Sequence, residues 1–324
     1  MADREDVARL AGVSSATVSR VINGNARVKR ETRDKVNRAI KALDYYPNSI
    51  ARNLRMESSN MVAVIVDDLC NAYVSECVEI MSREARKYGC YVMLFDLVHD
   101  NLDGIMEEII GNKVRGVVNS TISQVSDRNK QKFARMNIKT INVTIKDELI
   151  VQIRYEQAMR EAFRLLAEKS KKKPVFMGGL PSDWLEYNSR VQAFFKLSKE
   201  FGMQTDAGSV ISGTYPRDKY SFIGYRETDR LFKEGREFDS VFCLTDALAI
   251  GVLCALSEHG KKIPQEVAVI GCDNIKQSEY TVPKLTTIDT QSEEVYKTYI
   301  RYLLSEDKET DYAFDTTLIV RESI

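Results

Sequence analysis

From residue 61 onward the chain alternates short apolar runs with amphipathic stretches, and the alternation runs through twice. Residues 61–67, 90–96, 116–119 and 138–143 read as strands, with helices near 73–88, 102–112 and 127–136 between them. The pattern restarts with a helix at 156–168, a strand at 174–177 and a helix at 189–201. A strand at 210–212, a helix at 220–234, a strand at 239–244, a helix at 247–259 and a strand at 267–271 follow. A strand at 285–289, a helix at 293–304 and a strand at 314–320 complete the set. Strands that are apolar throughout and separated by helices require parallel sheets covered on both faces. Two such blocks predict two similar lobes, and ligands of such sheets bind beyond the carboxyl ends of the strands.

Ahead of this body lies a segment of different character. In residues 6–23, Val7, Ala8, Leu10 and Ala11 give a short helix one apolar face. Gly12 suits the positive φ just past a helix end, and Ser14 suits the N-cap of the next helix. Val18, Val21 and Ile22 then turn inward, leaving Ser15, Ala16, Thr17, Ser19 and Arg20 outside. A third amphipathic helix spans 31–43, with Val36, Ala39, Ile40 and Leu43 on one face. This is the pattern of a small all-α helix-turn-helix unit, whose outward hydroxyls and guanidinium suit phosphates and a guanine edge. The plainer reading is a helix pair of an ordinary core, and what counts against it is the segment that follows, the third helix and then Tyr45-Tyr46-Pro47-Asn48.

Net charge is zero over 324 residues, but it is unevenly spread: residues 1–60 carry 12 Lys/Arg against 7 Asp/Glu. A basic head on an acidic body fits a protein with one end facing nucleic acid. No apolar run is long enough to span a bilayer, and the opening Met-Ala-Asp-Arg-Glu-Asp has no signal-peptide pattern, so a cytoplasmic protein that meets no membrane is expected. Six cysteines form no Cys-x-x-Cys pair, and the two histidines, His99 and His259, stand far apart. No metal site and no cofactor are therefore expected, and the cysteines read as small buried hydrophobes.

Two motifs in one register allow a family comparison. Asp6-Val7-Ala8, Ala11-Gly12-Val13-Ser14 and Thr17-Val18-Ser19-Arg20-Val21-Ile22-Asn23 are followed by Tyr45-Tyr46-Pro47-Asn48, Ala51 and Leu54. The chain resembles the lac repressor (LacI/GalR) family of bacterial transcription regulators. Weaker matches continue through the body at 71–74, 245–251, 269–274 and 285–288. The resemblance implies a headpiece at 1–46, a hinge at 47–59 and an effector-binding and dimerisation domain at 60–324. That domain would be two periplasmic-binding-protein-like subdomains, about 60–155 with 289–310, and about 156–288 with 311–324. Three crossovers would fall near 154–156, 289 and 311.

The resemblance also implies roles. Ser15, Ala16 and Arg20 would face bases in the major groove, with Ser14, Thr17, Ser19 and Asn23 on phosphates. Asn48, Ala51, Arg52, Leu54 and Arg55 would form a hinge helix in the minor groove, Leu54 from each of two subunits wedging the central step of a pseudo-palindromic operator. Tyr73, Trp184, Arg190, Asp246 and Asp273 would contact a small effector, a sugar or an anionic sugar derivative. Departures from the family pattern include Thr144 where sugar-binding members carry an acid, Thr245 for Asn and Ala193 for Gly. Loss of that acid predicts better tolerance of an anionic ligand. A solute receptor or an α/β enzyme using the same cleft are the rivals. The head counts against the first. The second lacks a Gly-rich phosphate loop, a nucleophile elbow or a histidine beside a nucleophile, so no catalytic residue is assigned.

Overall fold

The computed structural model describes residues 2–22, 28–45, 59–97, 101–121, 123, 125–143, 150–305 and 312–324. Asn23, His99, Thr144 and the hinge positions Asn48, Ala51, Arg52, Leu54 and Arg55 lie outside them. The chain divides into two compact units, 1–59 and 60–324.

The first unit holds α1 (Arg4–Ala11), α2 (Ser15–Ile22) and α3 (Arg30–Ala42). The Asp3 carboxylate caps α1 by accepting from Glu5 N and Asp6 N, while Asp6 accepts from Asp3 N. Gly12 ends the helix at φ 65°, the left-handed conformation only glycine adopts cheaply. Val7, Ala8, Val18, Val21, Val36 and Ala39 form the buried core, with Ile22, Ile40 and Leu43 packed at its margin. Leu10, expected on the apolar face, is instead exposed. Its place two positions beyond Ala8 turns it about 200° away around the helix.

In the second unit, the N-lobe sheet is built from β1 (Met61–Val66), β2 (Tyr91–Asp96), β3 (Gly116–Asn119) and β4 (Lys139–Asn142), in the order β2-β1-β3-β4 and all parallel. Period-2 alternation sends Val62, Val64 and Val66 to one face, against residues of α4 (Ala72–Lys87) and α12 (Ser292–Leu304). Ala63 and Ile65 go to the other, against α5 (Leu102–Gly111) and α6 (Asp127–Arg135). Both faces are covered, which is why β1 reads as one unbroken apolar run.

After β5 (Val151–Arg154), α7 (Glu156–Glu168) enters the C-lobe. Its sheet runs β12-β10-β9-β8-β6-β7. The strands are β6 (Pro174–Met177), β7 (Val210–Ile211), β8 (Ser240–Cys243), β9 (Ala268–Cys272), β10 (Thr286–Asp289) and β12 (Thr317–Ile319), the last antiparallel. Helices α8 (Ser182–Glu186), α9 (Ser189–Glu200), α10 (Tyr220–Lys233) and α11 (Asp246–Glu258) belong to this lobe. The stretch expected as one strand at 314–320 is two. β11 (Tyr312–Asp315) pairs with β5, and Tyr312 and Phe314 pack on the N-lobe core. The chain then crosses at Thr316, whose N and Oγ1 donate to Arg154 O. The third crossover therefore falls at 316 rather than near 311, because β11 completes a two-stranded ribbon before leaving.

Two glycines set the closest helix approach. A Cβ on Gly251 of α11 would sit 1.9 Å from Ser221 O, and one on Gly224 of α10 would sit 2.2 Å from Leu248 O. Gly251→Ala is expected to force α10 and α11 apart and to cost about 3 kcal/mol, the upper end of overpacking penalties. Urea unfolding of the full chain measures it; an unchanged midpoint would show that the helix pair yields freely.

Candidate functional site

The outward face of α2 is set by what α2 buries. With Val18 and Val21 inside, Ala16 and Arg20 are exposed, and Ser19 and Thr17 are partly so. Ser14 caps the helix by accepting from Thr17 N at 3.2 Å, and the Ser14 and Thr17 hydroxyls share a hydrogen bond at 2.9 Å. Both are thereby held at the helix start, where backbone N–H groups face anions. Ser15 is not free as expected: its Oγ accepts from Arg4 Nε at 2.7 Å. Arg20 makes no hydrogen bond or ion pair within the described protein, so its guanidinium stands ready for a partner.

In the body, Arg190 lies in the first turn of α9, which Asn188 caps by accepting from Arg190 N. Its Nη1 donates to Leu244 O, just past β8, at 2.8 Å and to Cys272 Sγ at 3.6 Å. The guanidinium lies over the Tyr155 ring, 4.9 Å from its centre. Nε is buried without a partner, and Nη2 carries no protein hydrogen bond. One edge of the guanidinium is thus fixed and another is left to a ligand.

Asp273 follows β9 at φ 116°, in the left-handed half of backbone space, with its N–H donating to Ile288 O at 2.9 Å. Burial pushes its carboxyl well above the usual range, and the Asp246 charge adds to the push, while Arg190 pulls the other way. No ion pair joins Arg190 to Asp273. From the N-lobe, Tyr73 stands edge-on to Tyr296, with ring centres 6.2 Å apart. Burial raises the Tyr73 hydroxyl's pKa, and Tyr296, Cys77 and then Asp273 add to the shift, which places Tyr73 and Asp273 in one electrostatic neighbourhood. Arg190 and Asp273 act on one another electrostatically within the C-lobe, and the Asp273 charge is also felt by Tyr73 of the N-lobe.

Two expected contacts go elsewhere. Asp246 is fully buried, and its carboxylate is consumed internally: Oδ2 accepts from Ile275 N at 3.0 Å and Ser278 Oγ at 2.6 Å, and Oδ1 from Thr287 Oγ1 at 2.5 Å. It shapes the site without reaching a ligand. Gly271 makes room for it, since a Cβ there would lie 2.0 Å from Asp246 Oδ1. Trp184 sits on the short α8 and packs against the C-lobe core, which is the lobe-packing role.

Residues that no motif announced stand in the same electrostatic neighbourhood. Tyr215 and Tyr220 stack at 4.0 Å, nearly parallel. Burial raises both hydroxyls; Tyr220 also feels Arg190, Asp273 and Asp67, and Tyr215 feels Tyr220, Asp67, Asp68 and Asp96. Lys219, just before α10, reaches across to Asp68, just past β1, at 2.7 Å. The surround is acidic, and Lys219 is spent on Asp68. A cavity of about 360 Å³ at the amino end of β6 holds none of the expected residues. Its charges are paired, Arg236 with Asp206 at 2.6 Å and Lys173 with Glu237.

Comparisons with known proteins follow the same two-part division. A profile described as bacterial regulatory proteins, lacI family, matches residues 5–48, and one described as periplasmic binding protein-like domain matches residues 163–324. Catabolite control protein A of Streptococcus mutans is 31% identical, covering 87% of this chain and 84% of that protein. A transcriptional regulator CelR–cellobiose complex is 25% identical with TM-score 0.68, each chain covered in full. A lac repressor structure bound to ONPG in the repressed state superposes with TM-score 0.82 at 22% identity, over 100% of this chain and 99% of that one.

Burial raises the Asp246 carboxyl to about 6 against the pull of Ser278, Thr287 and the Ile275 N–H. A carboxyl raised on folding keeps its proton longer in the native state than in the unfolded chain. Stability therefore falls as pH climbs from about 4 to about 6 and levels off above, by about 3 kcal/mol for this group. Asp246→Asn, whose amide can donate to Thr287 Oγ1 while its oxygen accepts from Ile275 and Ser278, should flatten that window. Urea midpoints across pH test it, and equal slopes for the two proteins would show that Asp246 titrates normally.

Proposed function

The chain belongs to the lacI family of bacterial regulatory proteins, DNA-binding transcriptional repressors with an effector-binding domain, and we propose that it acts in the cytoplasm as a homodimer on a pseudo-palindromic operator under control of a sugar. The observation that carries this reading is the pair of open guanidinium edges, Arg20 on the recognition helix and Arg190 in the cleft.

At the DNA, Arg20 and Ala16 meet base edges, while Ser14, Thr17, Ser19 and Asn23 hold phosphates and fix register. Asn48, Ala51, Arg52, Leu54 and Arg55 enter the minor groove, with Leu54 as the wedge, a role that needs a two-fold partner. The edge strand β2 exposes Tyr91 and Leu94, with Tyr88 just before it, and the C-lobe exposes Tyr280 and Val282. A second copy covering such apolar surface supports the dimer.

In the cleft, Arg190 Nη2 donates to a ligand hydroxyl. Asp273 offers its carboxyl oxygens to ligand hydroxyls. Tyr73, Tyr215 and Tyr220 supply the aromatic faces that the apolar side of a sugar ring covers. The CelR complex holds cellobiose, and a neutral sugar of that kind is the effector proposed for this cleft. Binding between lobes shifts their closure, and that shift is the signal passed to the DNA-binding end. Among the described residues no helix is long and apolar enough to cross a membrane.

Arg20→Ala should weaken operator binding by about 1–3 kcal/mol and flatten preference at one guanine of each half-site. Unchanged preference in a selection from randomised duplex would reduce Arg20 to a phosphate contact. Calorimetry on the full chain with a neutral disaccharide such as cellobiose and with a carboxylated sugar should show the neutral form bound at least as tightly. Arg190→Ala should weaken binding of the neutral form about 10- to 100-fold. Tighter binding of the carboxylated form would restore the anion preference.

A further inference from the structure

We infer that Arg4 is a second base-reading side chain of the headpiece, positioned by Ser15. This rests on the DNA-binding role of α2. Arg4 stands in the first turn of α1, yet its side chain leaves that helix and reaches the first residue of α2, Nε donating to Ser15 Oγ at 2.7 Å. Residues at this end of a recognition helix are the ones that meet base edges in the major groove.

The bond does three things. It fixes the plane of the guanidinium, because Nε and both Nη groups are coplanar. It leaves Nη1 and Nη2 without a protein partner, a pair of parallel donors that matches O6 and N7 of guanine. It also occupies Ser15 Oγ as an acceptor, so Ser15 acts through Arg4 rather than as an independent reader.

The acids around Arg4 do not claim it. Asp3 accepts from Glu5 N and Asp6 N, Asp6 accepts from Asp3 N and pairs with Arg9, and no ion pair among the described residues involves Arg4. Its charge is therefore carried to the tip of α2 unneutralised. Ala16 beside it offers only a methyl, so without Arg4 the start of α2 holds no strong donor pair for a base. Arg20 lies five residues further along, roughly 7.5 Å by helix rise, so the two arginines address different base pairs.

The experiment is selection of bound duplex from a randomised pool by the full-length protein, its Arg4→Lys, Arg4→Ala, Ser15→Ala and Arg20→Ala variants. Circular dichroism checks that each variant folds. Lysine keeps the charge and loses the parallel donor pair. Arg4→Lys should lose about 5- to 150-fold of preference at one base pair per half-site and keep the rest. Ser15→Ala should relax that same position, and Arg20→Ala a different one. Arg4→Lys with every wild-type preference intact overturns the inference. So does uniform weakening by Arg4→Ala across sequences with a shallower salt dependence, which marks a phosphate contact. A wild type that selects no sequence overturns the DNA-binding reading as well.

Discussion

The C-lobe end of the cleft depends on one buried carboxylate. Asp246 opens α11 and gathers three donors, from the loop after β9 and from β10. An ion in that place is costly unless its lone pairs are satisfied, and three donors with the N-terminus of α11 satisfy them. The bonds fix the turn in which Asp273 takes its left-handed φ. Gly271 is the sequence's concession to this arrangement, since any side chain there would collide with Asp246. A residue that resembled a ligand contact is thus the support for one.

The lobes are joined by three strands of chain laced to one another. Thr316 bonds Arg154 O, Arg154 lies 3.7 Å from Asp315, and Gln291 donates to Asp315 O and takes its own N–H to Asp289. Asn274, next to Asp273, donates to Asp289 at 3.1 Å and accepts from Arg321. The crossovers therefore share bonds with the loop that carries Asp273. At the cleft itself Asp68 and Lys219 join the lobes directly. The Lys219 ammonium is half exposed while the Asp68 carboxylate is buried, so opening the joint leaves that carboxylate to water. A contact of that kind suits a joint that must open, whereas the crossovers suit one that must not come apart.

Much of this was legible from the residues. Strand and helix order followed from runs that are apolar throughout, because both sheet faces are covered and the signal does not depend on register. Arg190 and Asp273 were legible through motif position. Tyr155, Tyr215 and Tyr220 were not, because an aromatic in a loop or at a helix start reads the same whether it packs on a core or lines a cleft. The break at Thr316 was hidden for a related reason: β11 and β12 are both extended, and only their partners differ. Leu10 was misread because one apolar residue among several does not say which way a two-turn helix faces. The aspartates felt by Tyr215 were not legible, because Asp67 and Asp68 follow β1 while Asp96 ends β2, and they meet only in the folded sheet.

Arg190 and Arg4 show the same device in the two units. Each arginine spends part of its donor set on the protein, Nη1 on Leu244 O and Cys272 in one case and Nε on Ser15 in the other. A free arginine loses much rotamer entropy when it binds, and a tethered one has lost part of it already on folding. The remaining donors then present a fixed plane, which discriminates by geometry as well as by charge. Arg20 has no such tether and must order itself on its partner. On this argument a tethered arginine orders less on binding than Arg20, which has no such tether. Sequence spacing shows that an arginine is present at each place. Which of its nitrogens is already held, and therefore which edge reads, is decided by a carbonyl or a hydroxyl on a different element.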